Sequence, residues 1–106
     1  MRISLFFMTA ILAAVPVPLT KDQSDGMKIY ADKCSSCHAN DGSGNTTRGK
    51  AMKVPDLRSP EIAKKTDKEL VDAITKPAAH RGLQKQLGDE NLRLVVTYLR
   101  TFSRQP

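Results

Sequence analysis

The stretch KCSSCHAND, Lys33 to Asp41, contains both cysteines of the 106-residue chain and, at His38, one of its two histidines. Cys34 and Cys37 stand three apart, so on a helical turn their sulfurs share one side, and His38 follows at once. A C-x-x-C pair can be a dithiol that cycles to a disulfide, but such pairs sit at a strand-to-helix turn. No stretch of this chain alternates convincingly, so strands are not expected. Half of a zinc site is a second use, with His38 and His80 completing two cysteines and two histidines. The adjacency of Cys37 and His38 makes that chelation awkward, and His80 stands alone rather than in a spaced histidine pair.

The third use is covalent haem. Thioether links to the two vinyl groups on one porphyrin edge need sulfurs at i and i+3, and the next residue brings an imidazole beneath the iron. C-x-x-C-H is the signature of that attachment. One haem c, bound through Cys34 and Cys37 with His38 as an iron ligand, is the expectation.

The surroundings agree. The chain opens MRISLFFMTAILAAVPVPLT, with Arg2 before an apolar run from Ile3 to Val15 broken only by Ser4 and Thr9. Residues 1–20 therefore read as a secretory signal, too short to span a bilayer comfortably. An uncleaved leader, giving loose membrane association, is the alternative. Export to the periplasm follows, with the mature chain starting between Val15 and Ser24. About 85 residues remain, enough for one domain (24–104) whose thin core a buried porphyrin would supplement. The formal charge of +6 falls to +5 without Arg2, and the basic residues are spread along the chain. Such a surface suits acidic redox partner proteins; an exported chain with so few aromatics does not suit nucleic acid.

Outward from the motif, a first helix is expected with Ser24 or Asp25 as its cap, Lys21 to Ser24 forming a polar joint before it. Met27, Tyr30, Ala31 and Cys34 share one face, and the helix should end near Ser36. Ala39 to Gly49 reads as a loop, with Gly42 and Gly44 at positive φ. Ser59, Pro60 and Glu61 announce a helical turn reaching Lys65. Thr66 and Glu69 form a capping box over the stripe Leu70, Val71, Ala73 and Ile74, and Pro77 ends that helix. The last helix should start at Gly88 or Asp89 and carry Leu92, Val95, Val96, Leu99 and Phe102 on its buried face. The expected fold is all-α.

From about Asp25 to Phe102 the sequence resembles the class I c-type cytochromes. GMKIYADKCSSCH is similar to that family's first helix, with Gly26, Tyr30 and Cys34 at its characteristic spacing. NDGSGN resembles the loop after the motif, and VPDL the segment whose proline carbonyl accepts a hydrogen bond from the ligand histidine. The resemblance assigns that role to Pro55, acting on His38. LVVTYLRTF is similar to the last helix, where an aromatic such as Tyr98 crosses the first helix near the glycine. The resemblance implies a small helical domain wrapped around one haem, and a single-electron carrier rather than an enzyme.

Where the family usually has a methionine as sixth ligand, counting back from Leu87 arrives at His80. His80 is thus the expected partner of His38 on the iron, with Met52 and an open site as alternatives. Imidazole in place of thioether favours ferric iron, so a low potential is expected. A haem-based sensor or small-ligand binder, with His80 displaceable, is the alternative function. Lys50, Lys53, Arg81 and Lys85 are the basic residues expected to rim the haem edge.

Overall fold

The computed structural model describes residues 9–11 and 17–104. The apolar run expected to act as a secretory signal lies mostly outside the described residues. Six α-helices and no strand occur among the described residues: α1 Lys21–Lys33, α2 Ser35–His38, α3 Thr47–Met52, α4 Pro60–Ala63, α5 Asp67–Thr75 and α6 Leu83–Leu99. Short 3₁₀ turns cover Ala78–His80 and Phe102–Arg104. The expected all-α class holds. No described helix is long and apolar enough to cross a membrane.

The expected start of the first helix is wrong by one turn. Thr20 is the cap: its hydroxyl accepts from the Gln23 N–H, and the Gln23 side chain accepts from the Thr20 N–H. That reciprocal pair closes Lys21–Ser24 into the helix, so the residues taken for a joint are its first turn. The helix also ends earlier than Ser36. Cys34 leaves helical geometry at φ −120° and ψ −36°, and α2 begins anew at Ser35.

Downstream, the Ser59 and Thr66 caps form as expected, their hydroxyls accepting from the Ile62 and Glu69 N–H groups. Glu69 makes no return bond to Thr66 among the described residues, so only half of that capping box exists. The loop after the motif takes positive φ at Gly42 and Gly44 as expected, but it is shorter than read. Thr46 caps α3, which starts at Thr47 and ends where Lys53 turns left-handed. The last helix likewise gains a turn, Leu83 to Leu87, ahead of a break at Gly88 (φ 72°, ψ 171°).

The core lies where α1 crosses α6. Leu92, Val95, Val96, Leu99 and Phe102 are all buried, as their spacing requires, and Tyr30 clusters with Val95, Leu99 and Phe102. Tyr30, Tyr98 and Phe102 form an aromatic triad with ring centres 5.2–5.5 Å apart, a range in which edge-to-face pairs are favourable. Leu94, off the expected stripe, is buried as well. Its carbonyl lies directly over Gly26, where any Cβ would collide with it. Glycine is thus what lets the two backbones meet, the role the family resemblance implied. Arg100, on α6, ties down the junction before α5 by donating to the Ala63 and Lys65 carbonyls and to Asp67.

Candidate functional site

The break at Cys34 sets the geometry of the motif. The N–H groups of Cys37 and His38 both return to the Cys34 carbonyl, at 3.2 and 3.0 Å, so the three functional side chains share one tight turn. The following loop wraps around that turn. Gly44 N–H donates to the His38 carbonyl (2.8 Å), and Thr46 Oγ1 donates to the Cys37 carbonyl (2.8 Å) while accepting from Gly49 N–H. A Cβ on Gly49 would overlap the Cys37 and Gly44 carbonyls, so α3 can seat here only with glycine. Thr46 and Gly49 are site-shaping residues that sequence reasoning passed over. The Thr-x-x-Gly spacing, a cap with its N3 partner, was the available signal.

Cys34 and Cys37 are partly buried free thiols. Burial, with the neighbouring Cys37 adding to it, pushes the Cys34 thiol up to about 11, so neither desolvation nor its partner favours a thiolate. His38 is buried. Its pKa is lowered, first by burial and then by electrostatic interaction with His80, while the Pro55 backbone opposes the shift. The Pro55 backbone therefore lies near His38. Even so, His38 Nδ1 makes no hydrogen bond of acceptable geometry with it or with any other described group.

His80 is brought to His38 from across the fold. The two ring centres lie 6.2 Å apart with the rings inclined at 49°. His80 Nδ1 lies 2.8 Å from the Ile74 carbonyl, which can only accept, so Nδ1 carries the proton and Nε2 keeps its lone pair. Met52 is half exposed at the end of α3.

Two cavities meet at the histidine pair. One, of about 260 Å³, has Cys34 and Cys37 on one wall and Leu57, Ile74, Leu83, Val95 and Leu99 as apolar lining. The other, of about 280 Å³, is bounded by His38, His80, Met52 and Val54. The cations reaching the first are Lys33, Arg48 and Arg81, and Arg48 lines both. Of the four basic residues expected at the rim, only Arg81 lines a cavity here; Lys50, Lys53 and Lys85 line neither.

These residues fit a covalently held haem. A metal–imidazole bond is about 2.0–2.1 Å and the ring centre lies about 1.1 Å further, so two imidazoles on opposite sides of one iron have centres about 6.3 Å apart. The separation found is 6.2 Å. The two thiols stand on one turn beside the same cavity, as porphyrin attachment requires. By contrast, no group of three or more His, Cys, Asp or Glu among the described residues is placed to hold a bare metal ion, so the zinc arrangement does not form.

No solved structure matches the chain. Residues 23–103 match the family model for cytochrome c, and the chain belongs to that family. It is a haem-containing electron carrier with one covalent haem c.

Proposed function

We propose that this cytochrome c is an exported, periplasmic single-electron carrier whose iron is held by His38 and His80, at a lower potential than methionine-ligated relatives. The observation that carries the reading is the 6.2 Å separation of the two rings, the span of two imidazoles on one iron. The Ile74 hydrogen bond supports it, because metal-bound histidines almost always donate their other ring N–H to a carbonyl or carboxylate.

When bound, haem supplies a one-electron ferric–ferrous cycle, and no general acid, base or nucleophile is required of the protein. The chain's own groups hold, orient and shield. Cys34 and Cys37 are the attachment points, and the Thr46 and Gly44 bonds keep their turn rigid. Ile74, Leu83, Val95 and Leu99 keep water from the metal's surroundings, which lowers reorganisation on electron transfer. An imidazole at the sixth position favours ferric iron more than a soft thioether would. Lys33, Arg48 and Arg81 give the cavity mouth the positive charge that an acidic redox partner would seek.

Optical spectra of wild type and His80→Met test the ligation. The ferrous protein should show c-type bands. The ferric wild type should lack an iron–methionine charge-transfer band, and the variant should acquire one. That band already present in the wild type would make Met52 the ligand and remove the argument for a low potential.

A further inference from the structure

His80 comes to the site just beyond α5, whose Ile74 packs against the core. Between Val71 and Asn91, Ile74, His80 and Leu83 are half-buried and line the cavity. The 3₁₀ turn carrying His80 bonds only to itself through its backbone, His80 N–H to the Pro77 carbonyl and Arg81 N–H to the Ala78 carbonyl. Among the described residues, the one hydrogen bond joining this turn to α5 is His80 Nδ1–H to the Ile74 carbonyl. That bond is the polar contact from α5 that orients the ring, and it needs an Ile74 carbonyl free to accept it.

Ile74 lies in the last turn of α5. Were the helix to continue, its carbonyl would accept from the backbone N–H of Ala78, four residues on. Pro77 prevents this. Lys76 before it is still helical at φ −83° and ψ −36°, but Pro77 has no N–H to offer the Ala73 carbonyl, and its own ψ of 142° turns the chain out of the helix so that the Ala78 N–H does not reach the Ile74 carbonyl. The carbonyl is left as one of the orphan acceptors of a helix end, and the His80 ring satisfies it.

We infer that Pro77 is a positioning residue for the sixth ligand: by ending α5 it leaves the Ile74 carbonyl to hold the His80 ring in one tautomer and one orientation. The inference rests on the reading of His80 as that ligand. Pro77 touches neither metal nor haem; it acts by deciding which donor the Ile74 carbonyl receives. The Nδ1–H bond then keeps the proton away from Nε2 and makes that nitrogen a stronger donor.

The test is Pro77→Ala in the haem-loaded protein. Three alanines then precede His80, and alanine is the best helix former where proline is the worst. α5 should extend, the Ile74 carbonyl should pass to the Ala78 N–H, and amide exchange at Ala78 should slow. Carbon monoxide binding to the ferrous protein, limited by His80 release, should accelerate by about 10–100-fold, the usual cost of losing such an outer partner. Pro77→Gly, which removes the block without favouring helix, should give a smaller acceleration. Pro77 is exposed, so neither variant removes core packing. Unchanged carbon monoxide kinetics in Pro77→Ala, with His80→Met still altering the ferric spectrum, would overturn the positioning role while leaving the ligand reading intact. If His80→Met leaves the ferric spectrum as it was, His80 is not the ligand and the inference falls with it.

Discussion

Gly26→Ala sets two effects of opposite sign against each other, and the structure decides which wins. Gly26 lies inside α1, where replacing glycine by alanine ordinarily stabilises by about 0.5–1 kcal/mol. Here an added Cβ would overlap the Leu94 carbonyl oxygen and lie 2.9 Å from both the Leu94 carbonyl carbon and Tyr98 Cβ. Carbon atoms in contact prefer about 3.5–4.0 Å, so α1 would have to retreat by up to about 1 Å. The nearest obstacle is backbone of α6, which has no rotamer to change. Overpacking of this kind costs about 1–3 kcal/mol, and an immovable neighbour puts it near the top of that range. The retreat would also loosen Tyr30 against Val95, Leu99 and Phe102. The net expectation is a loss of about 2 kcal/mol, or about 8–16 °C in Tm for a domain of this size. Guanidinium unfolding of the haem-loaded protein, followed by helical circular dichroism, gives the value, with an unchanged slope as the check that only stability moved. A neutral or stabilised variant would show that the two helices do not meet at Gly26.

Tyr30→Phe removes the 2.6 Å bond from the Tyr30 hydroxyl to the Ala39 carbonyl and should cost about 1–2 kcal/mol at neutral pH by denaturant unfolding. Burial, first among the causes, raises the Tyr30 pKa above its ordinary value of 10.0. The unfolded chain therefore ionises first: this contribution is complete below about pH 10 and is lost as pH climbs toward the folded value. The gap between wild type and Tyr30→Phe should accordingly narrow above pH 10, and a gap constant to pH 11 would contradict that. Thr46→Val deletes both the bond to the Cys37 carbonyl and the cap of α3, and should cost about 1–2 kcal/mol. Thr46→Ser keeps both bonds and should retain most of that stability in the same unfolding experiment; equal losses would mean that the methyl group, not the hydroxyl, matters.

What the sequence determined by itself was whatever depends on neighbours a few residues away. Cys34, Cys37 and His38 announce haem attachment because the chemistry needs that spacing and nothing else. The Ser59 and Thr66 caps, and the stripe from Leu92 to Phe102, follow from helical periodicity and formed accordingly. The Thr20–Gln23 box was equally local and was missed because the acidic and hydroxyl residues just after it offered a competing start. Leu94 could not be read as buried, since it lies off the periodic stripe, at the place where α6 meets Gly26 of α1. Nor could Ile74 be read as the partner of His80, because a backbone carbonyl carries no sequence signature and its freedom depends on how Pro77 turns the chain. The same holds for the cavity mouth: Lys33 and Arg48 reach it and Lys50, Lys53 and Lys85 do not, a matter of which way each turn faces once α1, α3 and α6 have packed. Local hydrogen bonding and periodicity are short-range and survive in the string of residues. The family resemblance paired two histidines 42 positions apart, but their 6.2 Å separation is a product of the packed helices.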